Sequence, residues 1–172
     1  AGLRLSLFNR IGPGLVYHYQ EGSPIEPRNV VDSTQYQAGE IMKTYGGIEP
    51  RFSLRYTISR HSSVKLGYNR ILQYIHLVSN TAAITPVDIW QSSNAYFKPQ
   101  IADQISLGYF INSREGTWQG FVEGFYKYTQ HILDFKDGAN LILNPKLETA
   151  LLGGIGRAYG IEFSASKTKG KL

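Results

Sequence analysis

Five charged side chains, Arg51, Arg55, Glu123, Lys127 and Glu162, and five aromatic ones, Tyr17, Tyr19, Trp90, Tyr96 and Phe97, are the residues of this chain best suited to touch a ligand. The charged five recur at alternate positions of extended segments, which lines them up along one face. Ion pairing along a wall, or with a segment laid against it, is the simpler use of such charges, and contact with a passing ligand the sharper one. The aromatic five fall in long connectors, and connectors on a rigid frame are where recognition concentrates. Other chemistry finds little support. His18, His61, His76 and His131 are dispersed, without the paired spacing of zinc sites. Asp88, Asp134, Asp137 and Asn140 have the composition of a calcium loop but lack its glycine and terminal glutamate, so they read as turn formers. No nucleophile elbow, zinc-protease helix or P-loop occurs, and Gly153-Gly154-Ile155-Gly156 lacks the strand and helix that a phosphate turn needs. The sequence predicts no enzyme, no metal site and no cofactor.

Composition narrows the frame that must carry these residues. The chain has 172 residues, enough for one domain, with twelve Tyr and eighteen Gly, a mix that favours strands and turns. It has no Cys, which excludes disulfides and thiolate metal sites, and its net charge of +5 is scattered except for the closing Lys-Thr-Lys-Gly-Lys. That dispersion argues against nucleic acid as a partner. No apolar run is long enough for a transmembrane helix, and the opening Ala-Gly-Leu-Arg-Leu-Ser-Leu-Phe alternates where a signal peptide would be continuously apolar.

Alternation is the dominant pattern. From Ile48 to Ile58 apolar and polar residues take turns for a whole segment, which is a strand period. The pattern returns at Gly2 to Phe8, Val64 to Leu72, Gln104 to Asn112, Trp118 to Tyr128 and Tyr159 to Ala165. One face of these segments collects Leu3, Leu5, Leu7, Phe52, Leu54, Tyr56, Leu66, Ile105, Leu107, Ile161 and Phe163, all uncharged. The other collects nearly all the strand charge. A strand with oil on one side and charge on the other suits a wall between lipid and water.

Connector lengths agree. Two are short, 59–63 and 113–117, and three are long, 9–47, 73–103 and 129–158, in strict alternation. Long structureless loops count against a compact soluble domain. Outer-membrane barrels, in contrast, have short periplasmic turns and long external loops. Tyr56, Tyr109 and Trp118 then fall near the periplasmic ends, and Tyr126, Tyr128 and Tyr159 near the outer ends, where aromatic girdles belong. Tyr68 falls mid-strand and fits neither girdle, and Phe110, Phe121 and Phe125 face inward. One allowed hairpin register sets Arg55 opposite Lys65, which requires a nearby carboxylate or a slip of two residues. Six strands cannot close a membrane barrel, which starts at about eight, so the expected fold is all-β: an antiparallel transmembrane β-barrel segment with long extracellular loops, unless two strands hide in the loops.

The wording Tyr45-Gly46-Gly47-Ile48-Glu49-Pro50-Arg51-Phe52-Ser53-Leu54-Arg55-Tyr56, followed by Ser63-Val64-Lys65-Leu66-Gly67-Tyr68-Asn69-Arg70, resembles the barrel of TonB-dependent outer-membrane receptors. The resemblance is to the Bacteroidetes branch with a carboxypeptidase-regulatory-like domain ahead of the plug. Residues 73–81, 85–90 and 98–100, Tyr126-Lys127, and 134–140 leading to 154–160 are similar to the same branch, so the likeness covers most of the chain from Tyr45 onward. It implies a wall portion of a barrel of about 22 strands, filled by an N-terminal plug and importing a siderophore, glycan or peptide with energy passed through TonB. The implied partners are membrane lipid and lipopolysaccharide, the imported ligand, the TonB complex through a plug that this chain lacks, and a surface lipoprotein; the implied location is the Gram-negative outer membrane. Two other classes compete: a soluble β-barrel or β-sandwich binding module with the apolar face in a core, and a passive outer-membrane barrel.

Overall fold

A computed structural model describes residues 1–78, 89–113, 115–137, 139 and 144–167. Among them the chain forms β1 (Gly2–Ile11), β2 (Gly14–Tyr19), β3 (Val30–Tyr36), β4 (Ile41–Ser59), β5 (Ser62–Gln73), β6 (Ile75–Val78), β7 (Ile89–Ser92), β8 (Gln100–Asn112), β9 (Trp118–Phe135) and β10 (Leu151–Lys167). The fold is all-β and antiparallel. The six alternating segments are the six strands of one sheet, in the order β1-β4-β5-β8-β9-β10. The sheet is open among the described residues, with β1 and β10 at its edges. Two small hairpins, β2-β3 and β6-β7, stand apart from it within the long connectors.

Several expectations of extent change. Strands β4, β9 and β10 run well past the alternating stretches, because backbone pairing continues through Lys43↔Arg10 and Phe135↔Leu151 where side-chain alternation has lapsed. The third long connector therefore shrinks to 136–150. The first short connector tightens to a turn at Arg60 and His61, with an irregularity beside it at Thr57 and Ser59. Asp88, Asn140 and the closing lysine-rich turn lie outside the described residues.

Register turns the two faces into rows. On the apolar face Leu66, Leu107, Gly124 and Ile161 share one row across β5, β8, β9 and β10, and the next holds Tyr68, Ile105, Tyr126 and Tyr159. Tyr68, expected as a mid-strand misfit, thus shares a row with two tyrosines of the outer group. The row beyond it is Arg70, Asp103, Tyr128 and Arg157. There Arg70 Nε and Nη2 grip the Asp103 carboxylate at 2.8 and 3.0 Å, and the Tyr68 hydroxyl donates to the same carboxylate at 2.7 Å. The apolar residues between are bare: Leu5 is 73% exposed, Leu107 58% and Phe163 84%.

The polar face shows its own order. One row holds Arg51, Asn69, Gln104 and Lys127 across β4, β5, β8 and β9. Another holds Arg55, Lys65, Gly108, Glu123 and Glu162, so the like-charged register is the one adopted. Two features relieve it. Arg55 Nε donates to Ser63 Oγ at 3.0 Å, which draws the guanidinium along the strand. Gly108 leaves open the space where a Cβ would stand 2.9 Å from Glu123 Oε2, so that carboxylate lies over the glycine toward β5.

The buried apolar cluster is not between layers of the sheet. It consists of Val78, Phe97, Ala150 and Leu151, with Tyr96, Leu133, Phe135, Ala139 and Leu147 against it, and it sits where the long connectors meet. The apolar stripe of the main sheet is therefore not the stripe that makes the core. A soluble sandwich would bury Leu3, Phe52 and Ile105, and all three are exposed by 44% or more.

Candidate functional site

The three long connectors converge at one end of the sheet because aromatic residues tie them to it and to each other. Tyr74, between β5 and β6, stacks on Phe8 of β1 with ring centroids 5.2 Å apart, and its hydroxyl shares a hydrogen bond of 2.7 Å with Ser6 Oγ. Tyr45 of β4 donates to the Asn94 carbonyl at 2.7 Å. The Tyr96 hydroxyl donates to the Tyr17 carbonyl, joining the second connector to the first. Tyr19 then meets Tyr96 edge to face at 5.4 Å and donates to Glu148 Oε1 at 2.6 Å, which brings in the third connector across 129 positions of sequence. The tyrosines suit this work, since each offers an apolar ring to the cluster and a hydroxyl to a polar partner.

Between these connectors lies a cavity of about 460 Å³, within the range of small-molecule sites. Its walls include Tyr17, Tyr96 and Phe97, its floor Met42 and Lys43 of β4, and its charged members Arg10 and Glu148. Asn94 anchors the rim: its Oδ1 accepts the backbone N–H of Tyr96 and of Phe97, both at 2.8 Å. Lys146 places its ammonium 4.8 Å from the centre of the Tyr17 ring, a cation–π contact. Burial first, and then the Glu148 carboxylate, raise the Tyr19 and Tyr96 phenols above their ordinary range, so both remain protonated donors at neutral pH.

The sequence candidates divide accordingly. Tyr17, Tyr96 and Phe97 line this cavity, and Tyr19 backs it. Trp90 does not join them; it stands on β7, 67% exposed. Of the charged five, Arg51 and Lys127 share one row of the polar face, and Arg55, Glu123 and Glu162 share another, but none of these residues makes an ion pair within 4.0 Å among the described residues. Arg51 also lines a shallow depression of about 340 Å³ with Lys65, Asn69 and Gln104.

Sequence reasoning missed Arg10, Asn94 and Glu148. Arg10 alone had a legible signal, since it continues the parity of Arg4 and Ser6 one strand-length further. Asn94 and Glu148 sit in a loop and a single 3-10 turn, Leu147–Thr149, where no period applies. Two histidines have defined surroundings. His76 is 3% exposed within β6, its Nε2 3.2 Å from Ser93 Oγ. Burial, and then His131, hold its imidazole below the usual histidine range. His131 adopts a left-handed φ of 58° inside β9 and joins Nδ1 to the Pro99 carbonyl at 2.9 Å.

Fold and site together define an antiparallel all-β protein: a two-faced sheet, apolar and uncovered on one side, with a capped cavity at one end. Compared with known proteins, the chain matches no family model, no curated protein and no solved structure.

Proposed function

We propose that this chain is a stretch of the wall of an outer-membrane β-barrel of the TonB-dependent receptor type, with the capped cavity on the extracellular side where ligand is captured. The single observation that carries this reading is the dimension of the bare apolar face. On β10 the face holds Tyr159, Ile161, Phe163 and Ala165, and it is bracketed by Arg157 and Lys167, ten positions apart. On β8 it runs from Asp103 to Ser113, again ten positions. Ten residues cover about 33 Å along a strand. At a tilt of about 40° they rise about 25 Å, the height of the apolar band of outer-membrane barrels.

The open edges support the same reading. Among the described residues β1 and β10 present unpaired backbone on a sheet whose apolar face is uncovered, and hydrocarbon tolerates such edges only when neighbouring strands close the ring. Import of a nutrient follows from the family resemblance together with the cavity, and the energising plug would have to be supplied from outside this chain.

A cysteine scan tests the facing. Single cysteines at 104 to 111 of β8 can be placed in the whole protein, produced in a Gram-negative host, with any cysteine outside this chain replaced; the chain itself has none. Odd positions should react with a membrane-dissolved maleimide and even positions with a water-borne one. Equal access of the water-borne reagent to both parities refutes the proposal.

A further inference from the structure

We infer that the capped cavity binds a small ring-bearing molecule through an oxyanion, a carboxylate or a phosphate, and that Arg10 is the residue that grips it. The inference deepens the reading of the cap as the ligand-facing end, and it stands on the balance of donors and acceptors around the cavity. Arg10 lines the cavity, half-buried, and its Nη1 is buried without an acceptor. A guanidinium carries five N–H donors and no acceptor, so it calls for oxygen. No carboxylate comes within 4.0 Å of it among the described residues.

The groups that could supply an acceptor do not reach it. Glu148, the carboxylate of the cavity wall, accepts the Tyr19 hydroxyl on Oε1 and acts on Arg10 only from beyond ion-pair distance, offsetting part of its charge without filling its hydrogen bonds; the Tyr17 carbonyl accepts the Tyr96 hydroxyl. Asn94 spends its carbonyl oxygen on two backbone N–H groups, which leaves its Nδ2 hydrogens as further donors. Charge points the same way: Arg10 and Lys43 line the space against one carboxylate, and the Lys146 ammonium stands over the ring of Tyr17, a lining residue. Both lysines rest over tyrosine rings, Lys43 at 5.6 Å and Lys146 at 4.8 Å, so neither neutralises a carboxylate there. A guest with an oxyanion at Arg10 would complete the donors, and its ring would lie against Tyr17 and Tyr96. The volume admits a guest of about one or two sugar rings.

The test is calorimetric titration of the whole protein in detergent with glucuronate, glucose 6-phosphate and neutral glucose. At least one acid should bind at millimolar concentration, and glucose about tenfold more weakly or worse, the acid that binds more tightly naming the oxyanion. Arg10→Gln should weaken the acid about tenfold or more, while Arg10→Lys keeps most of the affinity by retaining the charge. Should Arg10→Gln fail to fold, the wild-type protein still decides, because inorganic phosphate and added salt must both compete with the acid. Binding of glucose as tight as the acids, failure of both acids to bind, an unchanged Arg10→Gln, or no competition by phosphate each overturns the inference. None of these outcomes disturbs the cysteine labelling pattern of β8, so the two readings fail separately.

Discussion

Replacing Leu107 by Arg and, in a second protein, Ser106 by Arg separates a lipid-facing sheet from a water-facing one. The two residues are neighbours on β8 with opposite facing. Leu107 is close to the middle of the apolar band, four positions from Asp103 on one side and six from Ser113 on the other. An arginine at that depth costs about 2–4 kcal/mol in a barrel wall, which is about a 30- to 900-fold loss in folded population. Ser106 lines the shallow depression of the polar face beside Lys65 and Gln104, where a long side chain has room and water. There the cost is about 0.5 kcal/mol or less. The assay is urea-driven unfolding of the whole protein in lipid vesicles, followed by the shift in gel mobility between folded and unfolded barrel. A Leu107→Arg protein that folds within about 0.5 kcal/mol of wild type would sink the argument. The same holds if Ser106→Arg is hurt as badly.

Three further outcomes follow from particular contacts. In Gly12→Ala the new Cβ would collide with the Gln37 carbonyl, a backbone atom that cannot swing aside, so the β2-β3 hairpin should loosen by about 1–3 kcal/mol in hydrogen exchange, while Gly2→Ala, with nothing within 4 Å, should be silent. Asp103→Asn should cost about 1 kcal/mol or more in urea titrations, since it removes the charge and replaces the Oδ2 that accepts from Arg70 Nη2 with a donor, leaving Oδ1 alone to serve Tyr68 and Arg70 Nε. By contrast Glu26→Gln, whose partner Arg28 is 79% exposed, should change little. His76, held below the usual range by burial, stays neutral in the fold while the unfolded chain takes up a proton near pH 6.5. Stability of the β6-β7 connector should therefore fall as pH drops through that value and level off below the folded pKa. Limited proteolysis between about pH 7.5 and about pH 5.5 reads it, and His76→Gln should flatten the response.

The main sheet was legible because its side chains alternate with a period of two: Phe52-Ser53-Leu54-Arg55-Tyr56 sends its apolar residues to one face and its polar ones to the other. Strand ends were less legible, since pairing through Lys43, Thr44 and Tyr45 depends on the backbone of β1 and not on their own side chains. The small hairpins escaped because Ile75-His76-Leu77-Val78 is too short to show a period. Aromatic residues in loops pointed toward the cavity, as Tyr17 and Tyr96 demonstrate, yet its charged members did not. Tyr19 and Glu148 meet only because three connectors fold back on one another, and no local spacing records that.

Gly108 carries a consequence for whatever lies against the polar face. By standing between Lys65 and Glu123 it separates two cations on β4 and β5 from two carboxylates on β9 and β10, their midpoints three strand spacings, or about 14 Å, apart. The polar face is in effect polarised sideways. A passing segment with opposite charges at its two ends has one favourable way to lie across it, and the reverse orientation meets repulsion at both ends.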